Sequence, residues 1–253
     1  MAATLPGFDP RMVPEVAAGR FWLASAATGL GSSSFRAVEG NGNSAWDMLP
    51  TSATAFPTTL TENGGTQLRM RKSVDAAPSI ITTAAAVQAG WTGDTCVAGW
   101  FRLPDASGDI TGTTNLFVHT PTAAGQRRFS VVAAQSTDRI STTVSNDGTA
   151  TVTNTWASPF TGGWLFIVQT LTVGVAIETS SDLTQLAHIV TATPGTPLFD
   201  GNTPAFIGCR AAATLANIDT TDWAAVYYCN GIPNLFNLQR LMAHQAPKVV
   251  SFV

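Results

Sequence analysis

Charge is what this sequence has least of. Asp, Glu, Lys and Arg together make up 11% of its 253 residues, against about 25% in an ordinary globular domain. Lysine occurs only as Lys72 and Lys248, and glutamate only as Glu15, Glu39, Glu62 and Glu178. A net charge of -3 gives no indication of a nucleic-acid or anionic-membrane partner. Cysteine is sparse too. An odd count, Cys96, Cys209 and Cys229, cannot close into a disulfide framework. All three sit in apolar, strand-like runs and read as buried free thiols; Cys209 and Cys229 can pair only if the fold sets them on facing strands. No run approaches the roughly 18 apolar residues of a membrane-spanning helix. The opening MAATLPGFDPRM lacks the apolar centre of a secretory signal, so the expected product is made in a cytoplasm without a signal peptide. There is neither a Gly-x-Ser-x-Gly elbow nor a Gly-rich phosphate loop. His119, His188 and His244 are far apart among apolar neighbours and read as core or rim histidines.

Thr, Ala, Ser and Gly fill the space that charge leaves. A low-charge, Thr-rich surface suits exposed sheet faces and permanent subunit contacts, where charge is depleted; a compositional habit of the genome would look the same. Residues 1–20 carry Pro6, Pro10 and Pro14, which remove backbone donors and oppose both helix and central strand. They are expected to form an attachment arm, with Phe8, Met12 and Val13 offering apolar side chains to a partner.

From Phe21 onward, short apolar or alternating runs recur between turn signals: Phe21–Ala24, Gln67–Met70, Trp91–Leu103, Asn115–His119, Arg128–Ala134, Arg139–Val144, Thr149–Thr155, Leu165–Val168, Val173–Glu178, Leu186–Val190, Phe206–Arg210 and Asp222–Cys229. Turns at roughly every eight to twelve residues predict a sandwich or jelly roll. Asn146-Asp147-Gly148 is a hairpin-turn signal. Only the end of the chain looks helical: in Asn234–His244, Leu235, Leu238, Leu241 and Met242 share one helix face, with Asn234 as N-cap and His244 and Pro247 as stop signals.

The order of motifs resembles the laminin-G-like or concanavalin A-like lectin/glucanase sandwich, of the kind found in bacteriophage structural proteins. The matching pieces are Trp22-Leu23-Ala24-Ser25, Gly40-Asn41-Gly42, Leu68-Arg69-Met70, the strand ending Trp100-Phe101-Arg102, Gly163-Trp164 before Leu165–Val168, and the closing strand, loop, strand and helix from Phe206 to His244. The resemblance implies an all-β, two-sheet antiparallel sandwich over residues 21–245 with a short C-terminal helix, an arm at 1–20 and a tail at 246–253. The family's Val-Asp-Gly turn after the Trp164 strand has no counterpart in Val173–Glu178.

Glucanase members of this class place carboxylates on one strand as Glu-x-Asp-x-x-Glu, one to attack and one to protonate. That run is absent; Glu178 and Asp182 are four apart, but Ser180-Ser181 reads as a turn between them. The chain is therefore expected to be no enzyme. Lectin-like sandwiches often hold calcium at loop ends; Asp105 with Asp109, Asp147, and Asp219 with Asp222 are the candidates, and all also fit as turn-forming residues. Among the seven tryptophans, Trp100, Trp164 and Trp223 lie inside strands and are expected in the core. Trp46, Trp91 and Trp156 are flanked by turn residues and are the candidates for stacking on a glycan. The resemblance implies a virion surface protein, a head decoration, spike or tail-fibre subunit. It would be bound to capsid or tail proteins, assembled as a homo-oligomer such as a trimer, and able to contact a host-surface glycan. A carbohydrate-binding, lectin-like module is the alternative.

Overall fold

The computed structural model describes residues 19–23, 48–50, 58–62, 65–70, 80–82, 92–102, 113–119, 129–134, 139–157, 163–180, 198–199, 205–207 and 221–245. They form β1 (Arg20–Leu23), β2 (Met48–Pro50), β3 (Thr58–Glu62), β4 (Gly65–Met70), β5 (Ile80–Thr82), β6 (Thr95–Arg102), β7 (Thr113–His119), β8 (Phe129–Ala134), β9 (Arg139–Val144), β10 (Val152–Ala157), β11 (Trp164–Thr172), β12 (Ala176–Ser180), β13 (Phe206–Ile207), β14 (Thr221–Asn230) and one helix, α1 (Leu235–Gln245). Two seven-stranded antiparallel sheets result. The first runs β12-β11-β6-β14-β4-β3, with β1 also on β14; the second runs β10-β9-β8-β7-β13-β5-β2. This is the expected sandwich with its C-terminal helix.

β14 organises the first sheet. One of its edges pairs with β6 along its length. Its other edge is shared, Thr221–Trp223 with β4 and Ala225–Tyr228 with β1. Where the partner changes, the β6 register shifts between Trp223 and Ala225. Such a bulge sets two residues of one strand against one of the other and changes which side chains face which way. Trp223, Val226 and Tyr228 go to one buried cluster, while Ala224, Ala225, Tyr227 and Cys229 go to another.

The first cluster lies between the sheets. Val97, Phe101, Ile167 and Leu171 from the first sheet meet Phe117, Phe129, Val131 and Ile140 from the second. Phe117 packs on Tyr228 at 4.7 Å and on Phe129 at 6.5 Å between ring centres. Gly99, on the same face of β6, has no alternative: a Cβ there would come within 2.5 Å of the Phe101 ring. His119 is fully buried, and its Nδ1 is 2.7 Å from the Tyr228 hydroxyl, which makes it the satisfied core histidine that the sequence suggests. At one edge the sheets are tied by Asn154 of β10, whose amide donates to the Ile177 carbonyl of β12 at 3.1 Å.

The second cluster lies on the outer face of the first sheet, under α1. Leu238, Leu241 and Met242, with Leu235 at the margin, cover Cys96, Ala98, Trp100, Phe166 and Val168. The helix face read from the sequence is thus the face that docks. The Trp100 indole N–H donates to the Met242 carbonyl at 2.9 Å, so the helix is held by a hydrogen bond as well as by burial. Asn234 caps it: its side-chain oxygen accepts from the Asn237 N–H at 3.2 Å, satisfying one orphan donor of the first turn. β6 runs below both clusters, and all of its residues up to Phe101 are buried.

Two readings of the turns are corrected. Val173–Glu178 is not one strand; β11 ends at Thr172, and Val175 N–H donates back to the Thr172 carbonyl at 3.0 Å. The turn is possible because Gly174 takes φ 73°, a region β-branched neighbours avoid. The Asn146-Asp147-Gly148 turn is present but wide, because β10 begins at Val152 and not at Thr149. β2, β3 and β5 have no counterpart among the strands expected from the sequence.

Candidate functional site

Carboxylates are the first place to look for chemistry, and each described one of the candidate set has a structural task. Asp147 accepts from the Thr149 and Ala150 N–H groups at 2.7 and 2.8 Å and from the Ser145 hydroxyl at 3.1 Å. Those backbone donors hold its carboxyl below the usual carboxylate range. This is an Asx-type turn anchor. Asp222 is 3% exposed and binds the Arg102 guanidinium, with Nε at 2.7 Å and Nη2 at 2.5 Å from Oδ2. Asp105, Asp109 and Asp219 lie outside the described residues, as do Phe8, Met12 and Val13 of the arm, Trp46, Trp91, Cys209 and His188. Trp156 falls in β10, where its backbone pairs with Ile140. Among the described residues, no three His, Cys, Asp or Glu side chains come together as a metal site would need.

The two ends of the first sheet differ. At the end where β6 starts, Asp94 ties two loops: its Oδ1 accepts from the Val173 N–H at 2.9 Å, and its carbonyl from the Gly231 N–H at 2.5 Å. The large apolar side chains most exposed among the described residues, Val175 (63%), Ile232 (38%) and Phe236 (65%), belong to these loops and the helix start. Nearby, Val144, Ser145, Ala150, Val152 and Leu198 line a cleft of about 60 Å³. That is far below the roughly 300 Å³ from which small-molecule sites begin.

At the other end, three neighbouring strands put an aromatic ring, a cation and an anion in one row. The β11–β6 register pairs Trp164 with Arg102, and the β6–β14 register pairs Arg102 with Asp222. Directly opposed residues of an antiparallel ladder face the same side. Trp100, one step further in, lies under α1. The row itself lies at the margin of that cover: Trp164 is half-buried, and Arg102 keeps 21% of its side chain exposed. The Arg102 guanidinium carbon stands 5.1 Å from the centre of the Trp164 ring, within reach of a cation–π contact. The Trp164 indole N–H is buried with no acceptor among the described residues, at a cost of about 1–3 kcal/mol for an orphaned donor.

Trp100 and Trp223 are buried as the sequence suggests, at 5% and 1% exposure, whereas Trp164 is only half in the core. The signal for it was local: Trp164 opens its strand after two glycines, and Arg102 closes another. That the two meet depends on register, which no short window carries.

Neither a family model nor a curated protein matches this sequence. Solved structures do match in shape. The binding domain of Paraclostridial Mosquitocidal Protein 1 superposes with a TM-score of 0.63 at 10% identity, covering 89% of this chain and 52% of that one. A botulinum neurotoxin type C structure, whose cell entry is described as dependent on two ganglioside molecules, gives 0.61 at 8% identity, covering 92% and 52%. The binding domain of botulinum neurotoxin DC in complex with rat synaptotagmin II gives 0.60 at 8%, covering 91% and 52%. The likeness is one of fold, a two-sheet β-sandwich. The chain spans about half the length of the structures it matches.

Proposed function

We propose that this protein is a non-enzymatic, lectin-like binding module whose ligand is a glycan, held at the Trp164–Arg102–Asp222 row. The observation that carries this reading is the half-buried indole beside a locked ion pair at the margin of the helix cover. A sugar ring offers an apolar C–H face and a rim of hydroxyls. An aromatic ring takes the first, and charged groups take the second. Because Asp222 already fixes Arg102, little side-chain freedom remains to be lost on binding. The orphaned indole N–H supports the reading from another side, since a position kept at a cost to stability is what a functional site looks like. The ganglioside dependence described for one neighbour and the synaptotagmin II complex of another support a binding role, at the level of fold. The virion-surface role expected from the sequence rests on its resemblance alone, and the matched structures favour the glycan-binding alternative.

The test is a glycan array followed by titration of the strongest ligand. Trp164→Ala is expected to weaken binding by at least about tenfold, which is 1.4 kcal/mol. Arg102→Lys, which keeps the charge but loses the planar fork, is expected to weaken it less, with β-type circular dichroism retained in both variants. A wild-type protein that binds no glycan on the array, or two variants that bind as well as wild type, would overturn the proposal.

A further inference from the structure

We infer that Cys96 and Cys229 form a preorganised dithiol, a site of oxidation to a single intrachain disulfide stapling β14 to β6. The two are direct partners in the β6–β14 ladder and belong to the same buried cluster under α1. Opposed Cα atoms in an antiparallel ladder stand about 4.5 or 5.5 Å apart, depending on the pair type. Both values fall inside the roughly 4.4–6.8 Å span that a disulfide bridges. The Cα spacing thus fits a disulfide in either pair type; the Cβ atoms are closest in a non-hydrogen-bonded pair, which closes with the least movement. Facing thiols on the same side of a sheet also differ from scattered core cysteines, which have no partner to react with.

The two thiols are not equivalent. Cys96 is fully buried, and burial, reinforced by the neighbouring Cys229 sulfur, pushes its thiol well above the usual range. Cys229 stands at the end of its strand, 3% exposed, and its S–H donates to the Gly231 carbonyl at 3.1 Å. Cys229 is thus the entry point and Cys96 the resolving thiol. With oxidised glutathione as the disulfide donor, Cys229 loses its proton and attacks one glutathione sulfur. One glutathione thiol leaves, and a mixed disulfide remains on Cys229. Cys96 then loses its proton and attacks the Cys229 sulfur, expelling the second glutathione thiol. Two protein thiols are oxidised, and one glutathione disulfide is reduced to two thiols. The thiolate is the reacting form, so the folded, reduced protein reacts slowly. The bond forms during folding or while the Gly231 turn opens.

The experiment uses the full chain carrying Cys209→Ser, so that only these two thiols remain. Protein unfolded under reducing conditions is refolded into a mixed glutathione buffer, alkylated and digested without reductant. The expected result is one Cys96–Cys229 linked peptide, lighter by two hydrogens and free of glutathione, in most molecules. The cross-linked form should melt about 5–15 °C above the same protein after reduction. A parallel incubation of the folded protein with oxidised glutathione in sub-denaturing guanidinium should give the same peptide, so success does not hang on refolding yield. Two alkylated thiols in both experiments, stable glutathione adducts on both cysteines, or a linked form that melts no higher than the reduced one would overturn the inference.

Discussion

β6 and β9 sit in different sheets and read differently for a physical reason. β6, TCVAGWFR, is buried at every position but its last. β9, RISTTV, alternates from exposed to buried along its length. Both have a face on the inter-sheet core. They differ in what lies behind them: β6 has α1, whereas Ser141 and Thr143 of β9 face outward, opposite Thr155 and Thr153 of β10, with hydroxyl oxygens 3.3 and 3.1 Å apart in exposed pairs. A strand covered on both faces loses the period-2 pattern and becomes continuously apolar. Sequence pattern therefore reports the number of layers as well as the presence of a strand. It also explains the scarcity of charge, since one outer face is buried under a helix and the other is served by hydroxyls.

The largest effect that would separate the two faces is expected at Trp100. Its ring is buried under α1, packs 5.5 Å from Phe166 and donates to the Met242 carbonyl. Trp100→Ala removes that packing and leaves a cavity, at a cost of about 3–5 kcal/mol, a large share of a domain's total stability. Chemical denaturation should show the loss in full. A change below about 1 kcal/mol would mean that the helix does not cover this face in solution.

Much of this was legible in the sequence. The apolar runs of β6 and β14, the alternation in β9 and the leucine spacing in α1 placed both the sandwich and the docking face of the helix. β2 and β5 were not legible because three residues are too few to show a period, and Pro50 ends β2. The β11–β12 hairpin was hidden by its own residues: Val173 and Val175 have strand character, and only Gly174 permits the turn. The wide β9–β10 loop was misjudged because Asp147 collects three donors, which the Asn-Asp-Gly motif alone does not reveal. The Trp164–Arg102 contact and the Cys96–Cys229 pairing both follow from register between strands distant in sequence. Composition and local pattern say nothing about register, so the residues that best support a function were the hardest to find.

A smaller effect is expected at the helix start. Asn234 accepts from the Asn237 N–H, and its carbonyl accepts from Leu238 N–H at 3.0 Å. Asn234→Ala keeps the second bond and removes the first. The expected loss is about 1 kcal/mol, read as a lowered melting temperature with the β signal unchanged. If α1 is held chiefly by Leu238, Leu241, Met242 and the Trp100 bond, the variant stays fully folded at room temperature. Unfolding of the helix alone would show that the cap, and not the packed face, holds it down.

The smallest effect is expected on the open face, at Thr143. Its hydroxyl pairs with that of Thr153 across the ladder, but the pair is exposed, so water can replace either partner. Thr143→Val keeps the shape and the β-branching that suits a strand and loses only the cross-strand hydroxyl contact. Such pairs contribute roughly 0.2–1 kcal/mol, and valine's strand preference offsets part of that. The expected change is within about 0.5 kcal/mol, as for most surface substitutions, and thermal unfolding of the two proteins side by side would read it. Stabilisation by the same small margin agrees with an open face. A loss above about 1 kcal/mol would mean that something packs on these hydroxyls as α1 packs on Trp100, and the contrast between the two sheets would then be one of what covers them, apolar helix or polar partner.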